Sequence, residues 1–277
     1  MRRNRTRATR GAKHRRQSKR ALIGGVIIVV TILTIVGVVS VRLALERDKV
    51  EVNASTMCPI DGPRAYTTIL IDGTDTFSAI QVADLQRYFN QLKGSVQKYE
   101  QIAVFAPREM TDESLLQPVL KLCNPGDAKG VSGITANPDA IQRKYEMDFA
   151  DKIDTALGRG LDAQGADTSP ILEMIQAVVI DSFPINSSAP KRLIIVSDML
   201  QNSDYYSHYR DAISFEILKN GPNFQHVMTD LSGVNVEILY IGRRGSEHLQ
   251  TNRHGVFWEA YVRFMNGNLR SIKRIGG

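Results

Sequence analysis

Asp72, Thr74 and Thr76 occupy alternate positions of one short stretch, Asp72-Gly73-Thr74-Asp75-Thr76, so a carboxylate and two hydroxyls can turn toward a common point. Three hard oxygen donors suit Mg²⁺ or Mn²⁺, which favour oxygen ligands in near-octahedral geometry and retain several waters. Two more oxygen-bearing residues complete the set. Thr168 lies in Gly165-Ala166-Asp167-Thr168-Ser169-Pro170, and Asp198 follows an apolar run that ends at Ser197. Chemistry of this kind is divalent-cation binding. An unreactive reading exists for the same residues. In it, Asp72 and Asp198 merely end strands, Thr74 and Thr76 bond loop amides, and Thr168 or Ser169 caps a helix. Asp75 and Asp167, beside the set, read either as groups that orient its ligands or as solvated loop acids.

The elements that must position these groups follow from hydrophobic periodicity. Residues 66–71 are an apolar, β-branched run of buried-strand length that stops at Asp72-Gly73. Ser78 can cap a helix whose apolar positions Val82, Leu85, Phe89 and Leu92 recur at helical spacing, with Gly94 as its stop signal. Residues 102–106 form a second short strand, and the Pro/Gly/Asn-rich stretch 107–138 is expected to hold one short helix around 115–122. Asn137-Pro138 opens a helix through Ile141, Tyr145, Phe149, Ile153 and Leu157, and Ser169-Pro170 opens another through Ile171, Leu172, Ile175, Val178 and Val179. Residues 193–196 and 234–241 are strands, and 204–219 is expected to be largely helical. A closing helix over 255–265 and an edge strand over 269–275 complete the order. Such alternation predicts a doubly wound, mostly parallel α/β sheet covered on both faces. Ligands bind beyond the carboxyl ends of such strands, where Asp72 and Asp198 both fall.

Charge is distributed unevenly. The protein has 277 residues and a formal net charge of +6, yet residues 1–45 carry 11 of the 35 Lys and Arg and no acid, leaving the remainder at −5. The basic character belongs to a tail, and nucleic-acid binding is not expected except through it. Residues 1–20 are expected to be a disordered cytoplasmic arm. Residues 21–41 contain no charge and are long enough to cross a bilayer as an uncleaved, single-pass signal anchor. Ten Lys or Arg precede this span, whereas acidic Glu46, Asp48 and Glu51 intersperse the basic residues after it, so the N-terminus is placed in the cytoplasm. Residues 42–63 then form a juxtamembrane linker, and 64–277 a domain facing the periplasm or cell exterior from the inner membrane. Two cysteines, Cys58 and Cys123, both follow the span, and an even count in an exported domain predicts one structural disulfide.

The order of these motifs is similar to that of the von Willebrand factor A family, the integrin inserted-domain fold, in a membrane-anchored bacterial form. The family's D-x-S-x-S loop corresponds to Asp72, Thr74 and Thr76, its distant threonine to Thr168, and its second aspartate to Asp198. The resemblance covers residues 64–277 and implies a metal-ion-dependent adhesion site that binds a partner's acidic residue. This sequence departs from the pattern where Met199 replaces the Gly that usually follows the second aspartate, where Ser169 competes with Thr168, and where the usual second hairpin is not evident.

Other chemistry finds little support. A phosphatase of the D-x-D-x-T type needs an acid where Thr74 stands, and no G-x-S-x-G, P-loop or G-x-G-x-x-G fingerprint occurs, so no catalysis is expected. His208, His226, His248 and His254 lack metal-ligand spacing and read as surface or helix-cap residues. Tyr205, Tyr206 and Tyr209 follow Asp198 closely and are candidates for a partner-binding surface. The alternative function is a scaffold subunit of an envelope complex, with a vestigial metal site.

Overall fold

A computed structural model describes residues 24–42, 50–74, 76–107, 117–133, 136–162, 166 and 168–276, and the chain divides into two units, Met1–Glu51 and Val52–Gly277. The expected arm 1–20, the start of the expected span, linker residues 43–49, Asp75 and Asp167 lie outside the described residues.

In the first unit, helix α1 (Gly24–Arg42) has 19 residues and is apolar enough to cross a membrane. At 1.5 Å per residue it extends about 28 Å, close to the thickness of a hydrocarbon core. Its two threonines turn their hydroxyls back onto the helix: Thr31 Oγ1 donates to the Ile27 carbonyl at 2.8 Å and Thr34 Oγ1 to that of Thr31 at 2.8 Å. Satisfying polar groups within the helix suits an apolar surrounding. This helix fits a single-pass membrane protein.

The second unit is a mixed α/β domain. Its sheet runs β3-β2-β1-β4-β5-β6, built from β1 (Ala65–Ile71), β2 (Glu100–Phe105), β3 (Leu120–Cys123), β4 (Lys191–Ser197), β5 (Val234–Ile241) and β6 (Asn268–Ile275). All neighbouring pairs are parallel except β2 and β3. The helix expected around 115–122 is therefore corrected: its described end is the antiparallel edge strand β3. The helices are α2 (Ala79–Ser95), α3 (Pro138–Tyr145), α4 (Asp151–Leu161), α5 (Ile171–Ser182), α6 (Phe215–Asn220) and α7 (Asn252–Phe264), with a π-helical turn Glu146–Ala150 joining α3 to α4. The helix expected over 204–219 is also corrected, because only α6 forms there, after a run of turns.

Central strands buried on both faces explain the nearly continuous apolar runs. Along β1, Tyr66 and Leu70 join a core with α5, α6 and α7, while Ile69 and Ile71 join a second core with α2 and α4. Helix α2 starts where sequence chemistry places it: Ser78 Oγ accepts from Gln81 N at 3.3 Å, and Gln81 Oε1 accepts from Ser78 N at 2.9 Å, a reciprocal capping box. Helix α4 comes close to the end of β1 through Gly160, where an added Cβ would stand 2.6 Å from Ile71 Cδ1. That approach holds the strand end that carries Asp72.

Cys58 and Cys123 form the expected disulfide across a separation of 65 residues. It ties the segment entering β1 to the end of edge strand β3, and a loop of that length is worth about 4 kcal/mol in the chain-entropy model.

Candidate functional site

The sheet reverses its winding between β1 and β4, since β1 leads outward to β2 on one side and β4 lies on the other. Loops diverge from such a switch point and leave a crevice at the carboxyl edge. Asp72 and Asp198 both stand there: Ile71 pairs with Val196, and Asp72 N extends the pairing to the Val196 carbonyl at 2.9 Å. Both residues are buried, at 5% and 4% exposure.

Asp72 is surrounded by neutral donors. Its Oδ1 accepts from Thr74 N at 3.1 Å and Thr74 Oγ1 at 2.7 Å, and its Oδ2 accepts from Ser169 Oγ at 3.1 Å and Ser197 Oγ at 2.8 Å. Ser169 is held in place by a two-way backbone bridge to Asn202, with N···O distances of 2.9 and 2.8 Å. Gln201, fully buried, accepts from Leu172 N at 2.8 Å and so caps α5 just beyond. Three segments far apart in sequence thus converge on one carboxylate.

Asp198 has a cation instead. Its Oδ1 accepts from Leu200 N at 2.8 Å, and its Oδ2 accepts from Arg243 Nε at 3.1 Å in an ion pair whose side chains are 3% and 22% exposed. Arg243 follows β5, the next strand along the sheet. Gln250 fastens the two loops together, its Nε2 donating to the carbonyls of Asp198 at 3.0 Å and Ile241 at 2.8 Å while its Oε1 accepts from Arg243 N at 2.8 Å.

The residue after Asp198 carries the backbone strain. Met199 has φ 63°, left-handed for a side chain with a Cβ, in the position where the resemblance leads one to expect glycine. Such a conformation costs on the order of 1–2 kcal/mol. A buried aromatic cluster offsets it. Trp258 Nε1 donates to the Met199 carbonyl at 3.0 Å, and His254 Nε2 lies 2.8 Å from the same oxygen. The Tyr240 hydroxyl lies 2.6 Å from His254 Nδ1, on the other side of the ring. His208 Nδ1 lies 3.2 Å from His254 Nε2. Burial holds both rings neutral, lowering His208 to about 3 with a further push from His254, and His254 to about 4.

The expected site residues are thus placed differently from one another. Asp72 and Thr74 meet. The hydroxyl that reaches Asp72 from the distant loop is that of Ser169, and Thr168 beside it is exposed. Thr76 is exposed and lines a neighbouring cavity together with Arg243. Among the described residues, no group of three or more His, Cys, Asp or Glu comes together. Tyr206 is core rather than binding surface, stacked on Phe257 at 5.7 Å with its hydroxyl donating to the Ala212 carbonyl at 2.6 Å. Tyr205 and Tyr209 are exposed, and Tyr205 stacks on His226 at 4.5 Å. The surface or cap reading of His208 and His254 is corrected, since both are buried. Arg243 was not singled out by sequence, although it is the first charged residue after a strand that ends on the same edge.

No protein-family model matches this chain, and no curated protein matches it. Among solved structures, it is similar to the conserved hypothetical protein BatB from Bacteroides thetaiotaomicron, at 11% identity and TM-score 0.35, over 77% of this chain and 91% of that one. It is similar also to an aerotolerance-related membrane protein from Bacteroides fragilis NCTC 9343 with multiple mutations to serines, at 11% identity and TM-score 0.35, over 76% and 90%. Neither similarity reaches a level that bears on what this chain does.

Proposed function

We propose that the second unit is a non-catalytic docking module. It faces the periplasm or cell exterior, is anchored by α1 with the N-terminus in the cytoplasm, and binds a protein partner through a divalent cation at the carboxyl edge of the sheet. The observation that carries this reading is the buried Asp72 carboxylate, whose hydrogen-bond partners among the described residues are one amide and three hydroxyls. Thr74 and Ser169 are hard oxygen ligands whose hydroxyls can present lone pairs to a cation as readily as they present protons to a carboxylate. Asp72, Thr74 and Ser169 would hold Mg²⁺ or Mn²⁺, with Asp198 contributing once Arg243 releases it. The cation would offer a coordination position to a partner's Asp or Glu. The von Willebrand A resemblance supports the same reading through the order of its motifs.

A second reading is favoured by one contact. The Arg243–Asp198 ion pair supplies a positive charge where a metal would be useful, as in a scaffold with a vestigial site. Affinity capture from membrane extracts separates the two. The docking reading expects proteins retained in Mg²⁺, released by EDTA and lost with Asp72→Ala. Retention indifferent to both EDTA and that substitution would establish the scaffold reading.

A further inference from the structure

Beside the two carboxylates lies a cavity of about 740 Å³, walled by the loop entering α2, the loop between β5 and α7, and the end of β6. This volume falls within the range of ligand-binding clefts. Its walls are fastened to one another. Gln81 Nε2 donates to the Gly242 carbonyl at 3.0 Å, and Gly276, at φ 76°, packs so tightly on Gln81 that an added Cβ would clash with its Cγ. Three guanidinium groups from two of these walls line the space: Arg243, Arg244 and Arg274. Arg274 is oriented by the ring of Tyr240, 5.6 Å from its Cζ, and by the Gln250 carbonyl, 3.3 Å from its Nη2. Among the described residues that line it, one is an acid, Glu247, and its Oε2 accepts from Gly245 N at 2.9 Å within its own loop. Ile80, 67% exposed, gives the cavity an apolar shoulder.

We infer that this cavity binds an acidic peptide segment of the partner, its carboxylates paired with Arg244, Arg274 and Arg243. Guanidinium groups match carboxylates bidentately, and three of them, carried by two walls, can pair with several carboxylates on one chain. Ile80 fits an apolar side chain between the acids. Arg243 gives the cavity a link to the neighbouring carboxylate, because it both lines the cavity and donates to Asp198. A peptide carboxylate competes with Asp198 for Arg243, so peptide and cation favour each other's binding. That coupling rests on the metal reading of Asp72; the peptide site itself does not.

The test uses the full chain in uncharged detergent, with a fluorescein-labelled triglutamate peptide followed by anisotropy in EDTA. Arg244 and Arg274 are exposed, so Arg244→Gln/Arg274→Gln should fold with at most a small loss of melting temperature, from the contacts of Arg274 with Gln250 and Tyr240. The double variant is expected to bind about tenfold more weakly, with partial recovery in Arg244→Lys/Arg274→Lys. Replacing basic residues of the N-terminal arm, as in Arg15→Gln/Arg16→Gln, is expected to leave the cavity-dependent difference intact. Equal binding by wild type and the double variant would overturn the site, as would displacement of the peptide by inorganic phosphate but not by unlabelled triglutamate. Mg²⁺ is expected to tighten peptide binding about threefold in wild type but not in Asp72→Asn. Binding that depends on Arg244 and Arg274 but ignores Mg²⁺ would overturn the coupling and the metal reading while leaving the peptide site standing.

Discussion

Asp72 and Asp198 end neighbouring parallel strands, are nearly equally buried and lie on the same edge, yet they are stabilised in different ways. Asp72 is wrapped in hydroxyls and an amide, whereas Asp198 faces a guanidinium. Hydrogen bonds from neutral donors stabilise a buried carboxylate without cancelling its charge. The hydroxyl cage is therefore the half of the site that a cation improves, and the ion pair is the half that a cation must compete for.

Substituting each acid breaks the comparison most sharply. In EDTA, Asp198→Asn should cost about 3 kcal/mol, because it breaks a largely buried ion pair. Asp72→Asn should change stability by no more than about 1 kcal/mol, since its neutral neighbours can reorient their hydroxyls. Denaturant unfolding of both variants measures the difference, and equal costs would remove the distinction.

Acid sharpens the comparison from the Asp198 side, whose turn alone rests on the histidine pair. His208 and His254 have folded-state values of about 3 and about 4, below the ordinary 6.5. The unfolded chain then binds more protons at mildly acidic pH, so this contribution is complete above about pH 6.5 and declines as pH falls toward the folded values. Stability should drop by about 2 kcal/mol per histidine between pH 6.5 and 5. His208→Phe, set among the rings of Tyr206, Phe257 and Trp258, should flatten that profile, as thermal melts across this range would report.

Smaller still is the effect of removing the competing cation. Arg243→Gln should strengthen Mg²⁺ binding about tenfold, a change of about 1.4 kcal/mol, by removing the guanidinium that pairs with Asp198. Unchanged or weaker Mg²⁺ binding would show that Arg243 does not contend with the metal.

Much of this arrangement was legible because it depends on local chemistry. The β-branched run before Asp72, the Ser78–Gln81 capping box and the strand before Asp198 are written in adjacent residues, and the shared edge follows from parallel topology. What was not legible depends on contacts made elsewhere. Strand β3 has four residues and is fixed by antiparallel pairing to β2 and by the disulfide at Cys123, neither of which is a local signal. Helix 204–219 fails at its start because side chains compete for its amides: Ser203 Oγ accepts from Tyr205 N, Ser207 Oγ from Tyr209 N, and Asp211 Oδ2 from Ser207 N. The preference for Ser169 over Thr168 is likewise decided by the backbone bridge to Asn202, which turns Ser169 inward. Arg243 is 45 residues from the acid it pairs with, and only the adjacency of β4 and β5 brings them together.

The central claim is that a divalent cation belongs at Asp72. Calorimetric titration of Mg²⁺ into the full chain in uncharged detergent, for wild type and Asp72→Asn, tests it most directly. The account predicts one saturable site in wild type and none in the variant. No saturable site in wild type, or the same site in both proteins, would contradict it.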